Sequence, residues 1–373
     1  MNAVRAGLCL GTASIMSLAL SVAEAEVIFS DNFDAQPDFT ASVSGRQSAD
    51  EGDILPEGWT HLHSASKWNP GSGYPTKHES LEILAANSDK ARGGTGKSIV
   101  NWRESWTPDS GWKFWNSDSQ LIKLLDNSYN ELYIEFYIRF SDNWFQRIRP
   151  GNSSSYTSKL FRVGHFNGGV NIFNGAKGDI GPIFFWDYKR DNYGIRNIHA
   201  YRGNPATGNY FLDYARANSY DYTKSTRGEE VGGKDPQHLD RVNGGFLVNW
   251  SGTGSPDGQT THENVFGGPG EWTKMAFYVK MNSAPGVADG VVKQWINGHM
   301  IRNSTHIPWH VAEADAGLGW NYFAIGGNDY FQGLPNSDLF EDWYAIDDLV
   351  VRSSMPDGKR DVAPNPPVDI DVQ

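Results

Sequence analysis

The chain is almost free of cysteine: its 373 residues include a single one, Cys9. That residue lies in an N-terminal stretch with the features of a secretion signal, so we expect the mature protein to contain no thiol. A chain without thiols has no cysteine nucleophile, no disulfide and no thiolate-bound metal. A chain of this length can still bury enough apolar surface to fold without disulfides.

Long apolar runs are also missing, since no stretch beyond the N-terminus approaches the ~20 apolar residues of a membrane-spanning helix. The N-terminal stretch has Arg5, an apolar segment from Gly7 to Leu20, and Ala23-Glu24-Ala25 as an A-x-A cleavage site. These features predict a bacterial type of signal peptide and a secreted protein, extracellular or periplasmic, with no membrane span. The predicted organisation is a signal peptide (1–25), one jelly-roll domain (26–356) and a C-terminal tail (357–373).

Positive charge is scarce, with 32 Lys and Arg against 44 Asp and Glu and a net charge of −12. Such a chain is a poor candidate for nucleic-acid binding, which depends on Lys and Arg contacts to phosphates. A local strip of cations can nevertheless bind an acidic polymer. The sequence contains no HExxH, no glycine-rich phosphate loop and no GxSxG, which argues against zinc proteases, P-loop proteins and α/β-hydrolases.

Aromatic residues and glycine are abundant: 13% of the residues are aromatic, 14 are Trp and 41 are Gly. Short alternating segments between Gly- and Asn-rich loops predict an all-β protein, a jelly-roll β-sandwich with long loops. Many of the rings neighbour polar residues, as on surfaces that stack on sugars. The alternative is that the rings only fill the core.

Two segments give the clearest strand patterns. Glu131 to Phe140 (ELYIEFYIRF) alternates apolar and polar residues with a period of two. Glu271 to Met300 has two alternating arms and ends at Asn297-Gly298, which suits a tight turn, so it predicts a β-hairpin. Their polar faces carry Tyr137, Arg139, Tyr278 and Lys280, which we expect to line a concave sheet that binds substrate. An outer, convex face explains these four residues equally well.

The regions between these segments have weaker patterns. Val27 to Phe33 predicts a first strand, and Ser119 to Leu125 predicts one helical turn. The region 34–101 is polar and rich in turn residues, so it is predicted to form mainly long loops.

The strand segments resemble a known family. EWTKMAFYVKMNSAPGVADGVVKQWINGHMI is similar to the pattern G-x-W … V-K-x-N-x-x-G-x-x-D-G-x-x-x-x-W-x-N-G-K of concanavalin A-like jelly-roll polysaccharide lyases, with alginate and glucuronan lyases as the nearest members. SKLFRVGHFNGG and IFFWDYKRDNYGIRNIHAY resemble the K-L-P-G-L-x-G-G and S-x-R-x-x-W … Y-x-Y segments of that family. The resemblance implies a concanavalin A-like fold that cleaves a uronate-containing polysaccharide by β-elimination.

The resemblance also implies roles for single residues. Lys159 falls on the family's substrate-binding lysine, and Trp186 falls on its strand tryptophan. His199 and Tyr201 fall on the Y-x-Y pair, in which tyrosine acts in proton transfer.

The chain departs from the family pattern at several positions: His199 replaces the first tyrosine of Y-x-Y, and Phe161, Arg162 and Val163 replace the P-G-L that follows K-L. Gly181 and Ile183 stand where the family has the serine and arginine of S-x-R. Arg162 or Arg190 is therefore expected to supply the missing cation, and Tyr188 from the same segment is a further predicted substrate contact.

β-Elimination from a uronate needs a cation to neutralise the carboxylate, a base for the C5 proton and an acid for the leaving oxygen. His199 and Tyr201 are two residues apart, so on one strand they share a face at about 7 Å. We expect Tyr201 to be base and/or acid, His199 its partner and Lys159 the neutralising group. The alternative is that both only decorate a polar sheet face. Three further candidates come from loops: His61, His63 and Arg103.

Two other functional classes remain open. A glycoside hydrolase would use paired carboxylates, but Glu131 and Glu135 lie about 13 Å apart along a strand, beyond the ~5–9.5 Å that hydrolases use. A non-catalytic carbohydrate-binding jelly roll is the main alternative.

Aspartates recur in the presumed first and last strands, at Asp31, Asp34, Asp347 and Asp348. Clustered carboxylates are typical of structural Ca²⁺ sites, and Asp31, Asp34 and Asp348 are the predicted ligands. Solvated turn aspartates are the alternative. The chemistry itself requires no cofactor, and we expect a monomer whose partner is an acidic polysaccharide rather than nucleic acid.

Overall fold

The protein is built almost entirely from β-strands. The computed structural model describes residues 25–41, 55–64, 78–104, 115–144, 156–166, 180–191, 194–202, 241–242, 245–246, 262–287, 289–307, 309, 318–330 and 341–359. The strands in these ranges are β1 (Val27–Asp31), β2 (Phe39–Thr40), β3 (His61–Ser64), β4 (Leu81–Ile83), β5 (Ile99–Glu104), β6 (Trp115–Tyr129), β7 (Glu131–Phe140), β8 (Tyr156–Phe166), β9 (Ile180–Asp191), β10 (Gly194–Arg202), β11 (Arg241–Val242), β12 (Gly245–Phe246), β13 (Thr273–Lys280), β14 (Gly290–Ile296), β15 (His299–Ile307), β16 (Trp320–Tyr330) and β17 (Glu341–Arg352). The described helical segments are α1 (His262–Phe266) and the 3₁₀ segments Ala85–Lys90 and Asp357–Lys359.

The strands form two large antiparallel sheets and one small hairpin. The first sheet has the order β15-β14-β13-β7-β17-β5-β4-β2, with β1 also paired to β17. The second sheet has the order β10-β9-β8-β16-β6-β3, and β11 pairs with β12. The chain crosses between the two sheets several times, for example from β6 in the second sheet to β7 in the first and then to β8 in the second. The predicted jelly-roll β-sandwich is therefore confirmed.

The alternating segments become strands because their apolar faces pack in the core between the sheets. Along β7, the residues from Leu132 to Phe140 in steps of two are all buried in the main core. In β13, Phe277 is stacked on Phe161 of the second sheet with 4.8 Å between ring centroids, and it also contacts Phe136 and Trp186. Full burial of a side chain of this size contributes about 1.5–3 kcal/mol, so these contacts hold the two sheets together.

The predicted hairpin is confirmed and extends to a third strand. β13 pairs with β14, and β14 pairs with β15. Asn297 and Gly298 connect β14 to β15 with φ values of 48° and 83°. Positive φ at both positions is what a tight hairpin turn requires, and Asn-Gly adopts it at little cost.

Other local predictions differ from the structure. Ser119 to Leu125, predicted to form a helical turn, lies inside β6, which pairs with β16 on one side and β3 on the other. The region 34–101, predicted to be mainly loops, contains β2, β3, β4 and part of β5. These strands are short, and the partners that stabilise them lie far away in sequence.

Some predictions fall outside the described residues. Of the predicted signal peptide only Ala25 is described, and of the tail only the residues up to Lys359. Among the described helices, none has both the length and the apolar character that crossing a membrane requires. Secretion and the signal peptide stay predictions.

Candidate functional site

The outer face of the second sheet brings two of the predicted cations together. Phe161 and Val163 of β8 point into the core, so the intervening Arg162 belongs to the outer face. Strict alternation would place Lys159 in the core. A bulge between Lys159 and Phe161 changes this: Lys159 pairs with Asp187, while Phe161 pairs with the buried Trp186. Lys159 therefore shares the outer face with Arg162.

Register pairing defines two rows of residues that cross this face from strand to strand. The first row consists of Phe185, Arg162, Ala324, Ile122 and His61. The second, called here the polar row, consists of Asp187, Lys159, Gly326-Gly327, Gln120 and His63. Neighbouring strands lie about 4.8 Å apart, so each row spans about 19 Å from β9 to β3.

Two glycines occupy the middle of the polar row. Gly326 has φ +97°, and a Cβ there would lie 2.3 Å from the carbonyl oxygen of Ser119. A Cβ at Gly327 would lie 2.6 Å from the Cβ of Lys159. Neither position has room for a larger residue. The polar row therefore carries no side chain between Lys159 and Gln120, and the backbone of β16 packs closely against both neighbouring strands there.

The cation of Arg162 is held close to the sheet. Its side chain is only 6% exposed, and its guanidinium lies 4.9 Å from the ring centroid of Phe185. A partly desolvated guanidinium interacts more strongly with an incoming carboxylate than one in free solvent. Lys159 in the adjacent row is more exposed. The pair thus offers one fixed and one more accessible positive charge.

Arg103 supports this face from beneath. It is fully buried between the sheets, and its guanidinium donates hydrogen bonds to the carbonyl oxygen of Gly327 at 2.8 Å and to the hydroxyl of Tyr344 at 2.9 Å. Arg103 was predicted to enter the cleft from a loop. It lies in β5 instead and fastens the glycine segment of β16 to the first sheet.

His199 and Tyr201 fall at the other end of the sheet, in β10. His199 is the register partner of Trp186, and Tyr201 is the register partner of Phe184. Both partners are buried in the main core, whereas Lys159 pairs with Asp187 on the opposite face. Asp187 in turn pairs with Ile198, so the backbone at His199 and Tyr201 lies two strands away from Lys159 in the order β10-β9-β8, and their role in proton transfer stays a prediction.

Three further predicted substrate contacts lie in β9. Trp186 and Tyr188 are 1% and 2% exposed and belong to the main core. These two side chains are out of reach of a ligand on either outer face, because they fill the space between the sheets. Arg190 lies in the same strand, and its backbone pairs with Tyr156 and Ile195.

Four predicted contacts lie on the outer face of the first sheet, on the other side of the sandwich. Arg92 lies over Tyr137 at 3.8 Å, and Arg139 donates to the carbonyl oxygen of Asp89 at 2.9 Å. Tyr278 is buried, with its hydroxyl bonded to Glu131, and Lys280 is exposed. The predicted single binding surface is therefore divided between two opposite faces, because β7 and β13 join one sheet and β8 joins the other.

Each of the three predicted calcium ligands has a hydrogen-bond or ion-pair partner in the structure. No group of three or more His, Cys, Asp or Glu side chains in the described ranges is placed to hold a metal ion. Asp31 accepts hydrogen bonds from Trp59 at 2.8 Å and Gln36 at 2.7 Å. Asp34 accepts one from the backbone N–H of Lys97 at 2.9 Å.

Asp348, the third predicted ligand, forms an ion pair with Arg92. Its neighbour Asp347 is 4% exposed, and burial raises the pKa of Asp347 to about 7. The carboxylates of this region are thus occupied by hydrogen bonds, an ion pair or a proton.

Two polar members of the candidate site were missed in the sequence. Asp187 could have been found, since it alternates with the apolar residues of IFFWDY and must face away from them. Gln120 has no local signal, because its strand was predicted to be helical. His61 and His63 were named as loop residues, and the structure places them in β3, in register with Ile122 and Gln120.

Several solved structures are similar to this chain over most of its length. A mutant alginate lyase in complex with an alginate tetrasaccharide is 12% identical, covering 88% of this chain and 96% of that chain with a TM-score of 0.41. An alginate lyase from Aplysia kurodai is 10% identical, covering 73% and 86% with a TM-score of 0.38. The LamA protein of Z. galactanivorans, in complex with laminaritriose and laminaritetraose, is 9% identical, covering 88% and 100% with a TM-score of 0.39.

No protein-family model matches the chain, and no curated protein matches it by sequence. At these identities and TM-scores, the function must be argued from the residues of this chain.

Proposed function

We propose that the chain binds an acidic, uronate-containing polysaccharide across the outer face of the second sheet and cleaves it by β-elimination. The observation that carries this proposal is the bulge in β8. Residues three apart, such as Lys159 and Arg162, cannot share a face of a regular strand. The bulge places both cations on one face, and bulges often re-aim a side chain next to an active site.

The chemistry of this face fits an anionic sugar polymer. The chain carries a net charge of −12, so two cations on one face stand against an acidic background. A carboxylate between Lys159 and Arg162 would be neutralised, which makes the adjacent C5 proton more acidic. The polar row runs across the strands with one position every ~4.8 Å. A polymer lying along the row would pass Asp187, Lys159, Gln120 and His63, which lie on four of the five strands.

Proton transfer is assigned to Tyr201, with His199 as its partner. Their residue types suit a base and an acid, and β10 lies at the end of the second sheet, next to β9. For Tyr201 to act on a polymer held at Lys159, the polymer must extend from β8 across β9 to β10. The proposal further takes the protein to be secreted and monomeric.

Binding without cleavage is the second candidate function, and one observation favours it. The strand that carries Tyr201 and His199 lies two strands away from the strand of Lys159, in the order β10-β9-β8. A protein that kept the cations and lost the proton-transfer groups would bind an acidic polymer and leave it intact.

One experiment separates the two candidates. The mature protein is incubated with alginate, glucuronan and related uronans while the ultraviolet absorbance of the unsaturated product is recorded, and binding is measured in parallel. Cleavage that is lost in Tyr201→Phe and Lys159→Ala, and kept in Lys280→Ala, would support the lyase. Lys280 is a matched control because it is an exposed lysine on the opposite face.

Binding without a rise in absorbance would establish the second candidate. If the protein neither binds nor cleaves any of the uronans, the proposed function is overturned. An equal loss of binding in Lys159→Ala and Lys280→Ala would also overturn it, because the outer face of the second sheet would then have no special role.

A further inference from the structure

We infer that His63, on β3, forms a distal subsite that binds a sugar unit of the same chain whose carboxylate is held at Lys159. The inference rests on the proposed function and concerns the length of ligand that the site takes. It starts from the polar row, which does not end at the cations but continues to the far edge of the sheet.

Register pairing fixes the position of His63. His63 pairs with Gln120, and Gln120 pairs with Gly326. The intervening Leu62 is buried in the main core, so His63 and His61 belong to the outer face. Both histidines are partly exposed. Their strand is the last of the second sheet in strand order, so a polymer can pass beyond it without meeting another strand of the sheet.

The distance from the cations suits a separate subsite. Three strand intervals separate β8 from β3 in the order β8-β16-β6-β3, which corresponds to about 14 Å. A single pyranose ring is too short to bridge that distance. Between the two ends the row passes the glycine pair and then Gln120, which is the register partner of His63.

The residue types at the far end suit sugar recognition. An imidazole nitrogen can donate a hydrogen bond to a hydroxyl or a carboxylate, and the Gln120 amide beside it can donate and accept. His61 is oriented by a contact of 3.0 Å between its Nδ1 and the hydroxyl of Thr60. The far end of the row therefore offers imidazole and amide groups for hydrogen bonding, in contrast to the Lys159 end.

The test is the dependence of affinity on ligand length. Dissociation constants are measured for disaccharides and hexasaccharides of mannuronate, guluronate and glucuronate with the full mature chain at constant pH. His63→Ala should weaken binding of the hexasaccharide about tenfold and leave the disaccharide unchanged. Lys159→Ala should weaken both. His78→Ala is the matched control, because His78 lies against Trp102 of the first sheet at 3.5 Å between ring centroids.

His63→Gln provides a second variant that keeps a hydrogen-bond donor, and it should recover part of the hexasaccharide affinity. If wild-type protein binds the hexasaccharide and both His63 variants bind it equally well, the subsite is refuted while the proposed function stands. The same holds if His63→Ala weakens the disaccharide and the hexasaccharide by the same factor. If wild-type protein binds no oligouronate, the proposed function fails, and the subsite fails with it.

Discussion

Replacing Asp347 by asparagine should change how the stability of the protein depends on pH. Burial raises the pKa of Asp347 from its ordinary 3.8 to about 7. The nearby carboxylates of Asp348 and Asp34 add to this rise. Hydrogen bonds to the Asp347 carboxylate from the backbone N–H groups of Arg92 and Asp348, both at 2.8 Å, act in the opposite direction.

The sign and size follow from proton linkage. Between about pH 4 and pH 7 the folded state holds a proton on Asp347 that the unfolded state has lost, so the free energy of unfolding falls as pH rises. At about 1.4 kcal/mol for each pKa unit, the full loss is about 4 kcal/mol. Asparagine does not titrate, but it offers one acceptor oxygen instead of two, which costs about 1 kcal/mol at every pH.

Asp347→Asn should therefore be slightly less stable than wild type near pH 4 and about 3 kcal/mol more stable near pH 8. Urea denaturation at several pH values measures this difference directly. Dilute protein is needed, because the sequence pI is about 5.3 and solubility is lowest there. Asp126→Asn, an exposed position on β6, is the control and should change stability by less than about 0.5 kcal/mol. A difference between Asp347→Asn and wild type that is the same at every pH would refute the reasoning.

Three further predictions concern folding and are measured by the same denaturation assay. Phe277→Ala should lower the free energy of unfolding by about 3–5 kcal/mol, because its ring is buried between both sheets. Val287→Ala, at an exposed position, should lower it by less than about 0.5 kcal/mol, and similar losses for the two variants would contradict the prediction. Gly326→Ala should lower the free energy of unfolding clearly more than Gly93→Ala does. Both positions have positive φ, but only at Gly326 would a Cβ lie 2.3 Å from a backbone oxygen. Arg103→Met should lower the free energy of unfolding by about 3 kcal/mol, because it leaves the buried Gly327 carbonyl and Tyr344 hydroxyl without their charged donor. An unchanged denaturation midpoint would show that Arg103 does not join the two sheets.

The parts of the fold that the sequence predicts are those fixed by short-range patterns. In β7, alternation over ten residues sets both the strand and its buried face. At Asn297-Gly298 the residue types alone permit the positive φ values that the turn adopts. Neither feature depends on which strand lies next to it, so both could be derived without any knowledge of the rest of the chain.

β6 shows why other elements could not be predicted in this way. In SQLIKLL, the apolar residues fall at spacings of one, two and three, which fit a helix as well as a strand. The structure resolves the ambiguity through pairing with β16, about 200 residues later, and with β3, about 60 residues earlier. Long-range partners override local preference, which is weak for short apolar segments.

The candidate site depends even more on long-range pairing. Alternation correctly indicates that Tyr137 and Arg139 oppose the core. It contains no information about which sheet a strand joins, so residues on opposite sides of the sandwich look like members of one surface. The spacing of His199 and Tyr201 likewise does not reveal that their strand, β10, lies two strands away from Lys159 in the second sheet.

The bulge in β8 is the decisive irregularity. With strict alternation from Phe161, Leu160 would lie on the outer face and Lys159 in the core. The observed pairing does the reverse: Leu160 is buried in the main core and Lys159 pairs with Asp187. An extra residue in a strand disturbs the hydrogen-bond ladder and must be supported by its surroundings. Here Gly327 packs against Lys159, and Arg103 holds the Gly327 carbonyl. The buried arginine, the glycine and the bulge thus act as one unit, and its effect is to present a second cation on the face that already carries Arg162.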